Sequence, residues 1–111
     1  MTARLASGTA VSALVRRVHA EGGSAMILAR GDVIAGGILI LALERGVNPR
    51  FFERGIGPDG APALLPSGPA ELPDDAAATS YWGRRRASDP DLWVVELDIA
   101  EAERFAAETL S

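Results

Sequence analysis

Apolar and polar positions alternate along the chain with three different periods, and each period implies an element. Val11, Leu14, Val15 and Val18 recur at the three-and-four spacing of a helix, with Arg16, Arg17, Ala13 and Ala20 on the other side. This predicts a first helix near residues 9–21, with Ser7 or Thr9 as its cap and Gly22-Gly23 as its stop. Ser24 to Arg30 is a short apolar run, Gly31-Asp32 is a turn signal, and Ile34 to Glu44 is a longer apolar run. Two such runs around a turn predict an antiparallel hairpin. In Ile38 to Leu43 both alternating sets are apolar, so that limb needs cover on both faces. A buried helix is the rival reading of so short a run; Gly36-Gly37 and the branched side chains favour a strand.

Gly46 to Pro49 predicts a second turn, and Arg50 to Ile56, with Phe51 and Phe52, a third strand. Gly57-Pro58-Asp59-Gly60 is a strong turn signal. Residues 61–72 either return as a fourth strand at Ala61 to Leu65 or stay a loop. Pro62 and Pro66 confine any such strand to a sheet edge, because proline cannot donate to a ladder. Pro73 is placed to open a helix, with Asp74 and Asp75 in its first turn and Arg84, Arg85 and Arg86 in its last. Asp89-Pro90 ends it. Leu92 to Asp98 alternates as a half-buried strand, with Trp93, Val95 and Leu97 inward and Val94, Glu96 and Asp98 outward. Ala100 to Leu110 predicts a last helix that buries Ala102, Phe105, Ala106 and Leu110. The order α-β-β-β-β-α-β-α predicts an α+β fold, with an antiparallel sheet of four to five strands and helices packed on one face.

At 111 residues with 48% hydrophobic and 23% charged residues, the chain is one globular domain's worth, residues 1–111. It has no Cys and one His, which excludes disulfide frameworks, thiol catalysis and His- or Cys-rich metal sites. Neither a metal nor a cofactor is expected. The net charge of −4 argues against nucleic acid. All eleven basic residues are Arg, which with the abundant Ala, Gly and Pro points to coding bias. The run after Arg4 resembles a signal peptide but is diluted by Ser7, Gly8, Thr9 and Ser12 and closed by Arg16-Arg17. Val33 to Leu43 falls short of the ~20 residues that cross a membrane. A cytoplasmic location without membrane contact is expected. Residues 1–30 carry net +3 and residues 89–111 net −6, which favours packing the two ends together, within one chain or between two.

Candidate chemistry is sparse. Arg84-Arg85-Arg86 suits a phosphate or a partner's carboxylates, yet a charged last helical turn is the simpler reading. Arg30-Gly31-Asp32 reads as a turn, with Gly36-Gly37 marking close backbone contact in preference to an anion cradle. His19 lies at the edge of the first helix's stripe, with no nucleophile elbow to serve. Asp89, Asp91, Glu96 and Asp98 form the densest carboxylate group, without calcium-loop spacing. Trp93 is expected in the core. Trp82 is either an exposed interface anchor or buried under the proline-rich loop. No catalytic residue can be named.

Leu14 to Ile40 and Ser88 to Asp98 resemble a small alphaproteobacterial family, domain-of-unknown-function family 1491. The resemblance rests on Arg4-Leu5, on an R-G-D-x-x-A-G string (Arg30, Gly31, Asp32, Ala35, Gly36) and on D-P-D-L-W-V-V-E (Asp89 to Glu96). It implies one compact cytoplasmic domain and supplies no activity, so no catalytic residue carries over. Two functional expectations follow. The first is a non-enzymatic interaction module that self-associates as a homodimer to cover Ile38–Leu43 and uses Trp82. The second is a small-molecule or anion-binding, or catalytic, domain that joins the Arg30–Asp32 turn to Asp89, Asp91 or Arg84–Arg86. In the second, a carboxylate with a raised pKa in an apolar cleft would be the mark.

Overall fold

The computed structural model describes residues 5–110. Arg4, part of the first motif and of the N-terminal charge count, lies outside them. The chain forms α1 (Ser7–Ala20), β1 (Ser24–Ala29), β2 (Ile38–Glu44), β3 (Val47–Ile56), β4 (Pro62–Ser67), α2 (Asp75–Ser88), β5 (Trp93–Asp98) and α3 (Ala102–Leu110). The α+β class and the element order are those expected from the sequence. The five strands lie in one sheet in the order β1-β5-β2-β3-β4, antiparallel except for the parallel pair β2·β5.

That order corrects the first hairpin. β1 and β2 run in opposite directions, as a hairpin would require, but they do not pair. β5 lies between them, with Ile27 opposite Val95 on one side and Ile40 opposite Val95 on the other. A tight turn spans one strand spacing of about 4.8 Å; residues 30–37 instead bridge two spacings, roughly 10 Å, across the start of β5.

The sheet is covered on both faces. Ile38, Ile40, Ala42, Phe52, Trp93, Val95 and Leu97 pack under α1 and α3, against Val11, Leu14, Val18, Ala102, Ala106 and Leu110. Leu39, Leu41, Leu43, Phe51, Leu92 and Val94 pack on the opposite face, with Ala78, Tyr81 and Trp82 of α2 and with Leu72. The helices therefore do not share one face. Both alternating sets of β2 are apolar, so a single helical layer would leave one set in water. The lone chain closes both, and a bare β2 is no longer a reason for a second copy. β5 differs from its half-buried expectation for the same cause: Val94 is fully buried beneath α2.

Local chemistry sets the boundaries. α1 starts after Ala6 with no side-chain cap; Ser7, expected there, is buried and bonded elsewhere. It ends as a Schellman motif, in which Gly22 N–H donates to His19 O, Gly23 N–H donates to Val18 O, and Gly22 takes φ 87°. The β2–β3 connection is tighter than Gly46 to Pro49. Arg45 and Gly46 take φ 52° and 75°, and both turn amides donate to the Asp98 carboxylate at 2.7 and 2.8 Å. β4 forms, and it is an edge strand as Pro62 and Pro66 require. Asp74, not Pro73, opens α2 by accepting from Ala77 N–H at 2.8 Å. The oppositely charged chain ends pack within one subunit, where α3 lies on α1 and Arg17 pairs with Glu108.

Candidate functional site

The strings that stand out in the sequence meet at one joint. At its centre is the backbone carbonyl of Asp91. Asp32 N–H donates to it at 3.0 Å. A Cβ at Gly31 would lie 2.0 Å from this oxygen and one at Gly36 2.2 Å, so both positions need glycine for the close approach of backbone to backbone. Asp32 O accepts from Trp93 Nε1 at 2.7 Å, and Gly37 O from Trp93 N–H at 2.8 Å. Asp32 Oδ2 takes the amides of Ile34 and Ala35 at 3.1 and 2.8 Å. The first turn of α1 docks on the same loop: Ser7 Oγ donates to Gly36 O at 2.6 Å, Ser7 N–H to Ile34 O at 3.1 Å, and Gly8 N–H to Val33 O at 2.9 Å. The Arg30–Asp32 turn and the Asp89–Asp91 turn thus come together, through backbone rather than through their carboxylates. Asp89 turns inward on its own loop, taking Asp91 N–H at 3.2 Å.

The arginine triplet does not act as a unit. Arg84 donates to Ser80 at 2.8 Å and Arg86 to Pro90 O. Arg85 reaches across to β3, where it forms a two-pronged pair with Glu53 at 2.9 Å on each oxygen. Ser67 and Tyr81 complete this network: the Ser67 hydroxyl donates to Glu53 at 2.8 Å, and Arg85 donates to Tyr81 Oη at 3.0 Å. The Arg85 hydrogen bonds hold the Glu53 carboxyl below its ordinary range, and Glu53 raises Arg85 in return. Nothing in the sequence spacing pairs Glu53 with Arg85, because the pair forms only once α2 lies over β3.

A concave surface lies on each face of the sheet. On the α2 side, a cleft of about 390 Å³ is lined by Leu41, Leu43, Trp82, Asp75, Glu96 and Asp98, among others. Trp82 is half-buried in its wall rather than exposed. Burial, together with Asp98 and Asp75, pushes the Glu96 carboxyl above its ordinary value. Native Glu96 therefore holds its proton more tightly than the unfolded chain does. Stability rises as the pH falls through the native value, and the gain is complete below the unfolded one. Glu96→Gln is expected to flatten this acid-side rise in urea unfolding and, after solvent screening, to add about 0.5 kcal/mol at neutral pH.

On the α1 side, a groove of about 600 Å³ runs beside the joint. Its lining includes Ile27, Val33, Ile34, Trp93, Ser12, Arg16 and Arg30. Val33 and Ile34 are 60% and 68% exposed, and Leu5 nearby in sequence to the groove's Ala6 is 52% exposed. Arg17, Arg50, Arg85 and Arg104 each pair with a carboxylate. Among the described residues Arg16 and Arg30 pair with none, as is also true of Arg45, Arg84 and Arg86. His19 lies at the adjacent edge of β1, its Nε2 3.3 Å from Ala25 N and 3.2 Å from Ala25 O. Among the described residues no group of three metal-ligating side chains assembles, and no helix is long and apolar enough to cross a membrane.

The fold and this joint define a three-helix, five-strand α+β domain built around one parallel strand pair, with its signature residues spent on architecture. The chain belongs to the protein family of unknown function DUF1491, whose model matches residues 5–107. A crystal structure of a DUF1491 family protein from Caulobacter crescentus CB15 is 29% identical, with 91% of this chain and 94% of that chain covered and a TM-score of 0.78. An NMR structure of a DUF1491 family protein from the same organism is 28% identical, with 94% of each chain covered and a TM-score of 0.76. A solution structure of an A. tumefaciens protein is 28% identical over 87% of each chain, with a TM-score of 0.69. No curated protein matches.

Proposed function

We propose that this protein is a non-enzymatic interaction module that docks a protein segment in the α1-side groove. The carrying observation is that the exposed apolar Val33 and Ile34 line one groove with Arg16 and Arg30, two cations without a carboxylate partner among the described residues. Solvent-exposed apolar surface rimmed by arginine is the composition of docking surfaces, in which arginine anchors and apolar contacts exclude water. The segment that fits carries apolar side chains for the strip and carboxylates for the guanidinium groups.

A displayed library of random twelve-residue peptides tests this reading. The wild-type chain is expected to enrich acidic sequences with apolar residues between the acids. Arg16→Glu and Ile34→Asp should each weaken the selected peptides at least tenfold. A pool without acidic bias, or one bound equally by both variants, refutes the reading.

A second reading, ligand binding, draws support from Glu96 and moves from the Arg30–Asp32 turn to the α2-side cleft. There a raised carboxyl and Asp75 lie beside Trp82 on an apolar floor, a setting suited to an organic cation. Thermal-shift screening against small amines, phosphates and nucleotides tests it: a rise with amines that Glu96→Gln abolishes supports the cleft, and flat curves remove it.

A further inference from the structure

We infer that the segment docked in the α1-side groove carries a phosphorylated side chain, held by Arg16 and Arg30 together with the hydroxyls of Thr9 and Ser12; this rests on the docking reading above and names the anion of its partner. The chain is acidic overall, at net −4, and three of its concave surfaces reflect this. Asp75, Glu96 and Asp98 line the α2-side cleft. Glu71, Asp74 and Asp75 line the hollow before α2, and Glu21, Glu44 and Asp98 the one beside the β2–β3 turn. No carboxylate lines the α1-side groove, whose charged lining is Arg16 and Arg30. Asp32, two residues from Arg30, turns its Oδ2 onto the Ile34 and Ala35 amides of its own loop. A positive concavity on a negative molecule concentrates anions there.

The donor set favours a phosphoryl group over a carboxylate. Thr9, Ser12 and Arg16 are spaced three and four apart, so they form one row along α1. Arg30 follows the end of β1 and lines the same groove. The Thr9 and Ser12 hydroxyls are exposed and in no hydrogen bond among the described residues. A carboxylate is filled by less: at Glu53, the Arg85 fork and the Ser67 hydroxyl already occupy both oxygens. Two guanidinium groups and two hydroxyls exceed that need. A phosphoryl group offers three acceptor oxygens and a charge of about −1.5 to −2. Val33 and Ile34, exposed in the same lining, receive apolar side chains that flank the modified residue, which favours a peptide over the bare anion. A lipid surface fits less well. Lipid-binding clusters hold about four to eight cations, against the two of this groove, and the net negative charge repels an anionic bilayer.

Arrays of synthetic twelve-residue peptides test the inference, with varied apolar residues around a central phosphoserine, glutamate or serine. The full chain is the probe, calorimetry gives the dissociation constants of the strongest peptides, and circular dichroism confirms that each variant is folded. Phosphoserine peptides are expected to bind at least tenfold more tightly than their glutamate counterparts. Arg16→Gln and Arg30→Gln should each weaken them at least tenfold, and Ser12→Ala several-fold. Arg16→Lys, which keeps the charge but loses the fork, should recover only part of the loss. Arg84→Gln, at an exposed arginine outside the groove, should change nothing. Glutamate peptides bound as tightly as phosphoserine peptides overturn the inference and leave the docking reading standing. Silence of all three sets removes both. Inorganic phosphate bound as tightly as the phosphopeptides, or phosphatidylglycerol vesicles bound while the array stays blank, also overturns it, by making the free anion or the membrane the ligand.

Discussion

Gly36→Ala is expected to cost about 3 kcal/mol or more, read as a fall in the urea midpoint with an unchanged slope. The added methyl would stand 2.2 Å from Asp91 O and 2.9 Å from Asp32 O. Both neighbours are main chain, tied by the Asp32 and Trp93 hydrogen bonds, so neither can swing aside as a flexible side chain would. The strain would spread to α1, because Ser7 is bonded to the carbonyl of Gly36 itself. For a domain with roughly 5–15 kcal/mol to lose, such a change removes a large share. Gly83→Ala is the matched control. Its Cβ would meet nothing within 4 Å, and the position lies inside α2. That exchange should stabilise the protein by about 0.5–1 kcal/mol. Equal losses at the two positions would dismiss the joint as the source of the effect.

Val94→Asn is the second large effect, at about 4 kcal/mol. The side chain is fully buried in the layer between the sheet and α2. Asparagine there forfeits the packing of the valine and brings an amide without partners into an apolar layer. The alternation of Leu92 to Asp98 alone places Val94 on a solvated face, where the same change would be nearly silent. Thermal unfolding of this one variant therefore separates a central β5 from a peripheral one. Glu96, two residues on and on the same face, lies at the cleft's margin, which is why its replacement acts through charge instead.

Most of the local structure was legible in the sequence because it is decided by neighbours in the chain. The α1 stripe, the buried set Ala102, Phe105, Ala106 and Leu110, and the proline-bound edge at β4 all follow from spacing or from the chemistry of one residue type. Ile38–Leu43 also announced correctly that it needs cover on both sides. What covers it was not legible. The mean hydropathy of α2 is low and only Ala78 is fully buried along it, so its sequence does not declare that it seals a leucine face. Strand order was hidden for a related reason. The position of β5 between β1 and β2 depends on contacts about 60 residues apart, such as Asp32 with Trp93, and no local period encodes them.

The candidate site was half visible for a different reason. Arg30–Asp32 and Asp89–Asp91 stand out in the sequence as turns that carry charge, and the structure does bring the two turns together. The contact, however, runs through peptide groups and absent side chains, which a search for acids and bases passes over. Arg85 was visible as a cation, but its partner Glu53 lies on a strand whose register only the folded sheet defines. Arg16 drew no attention as a site residue. It becomes informative only when the fold brings it into one groove with Arg30, Val33 and Ile34.

The prolines of β4 have a consequence beyond their own strand. A sheet that can recruit neighbours at both margins is able to polymerise, each new chain offering a fresh template to the next. Here one margin is stoppered, so growth by strand addition ends as soon as the other is filled. The molecule is thereby spared the route to fibrils that an unguarded, twice-greasy sheet would otherwise open.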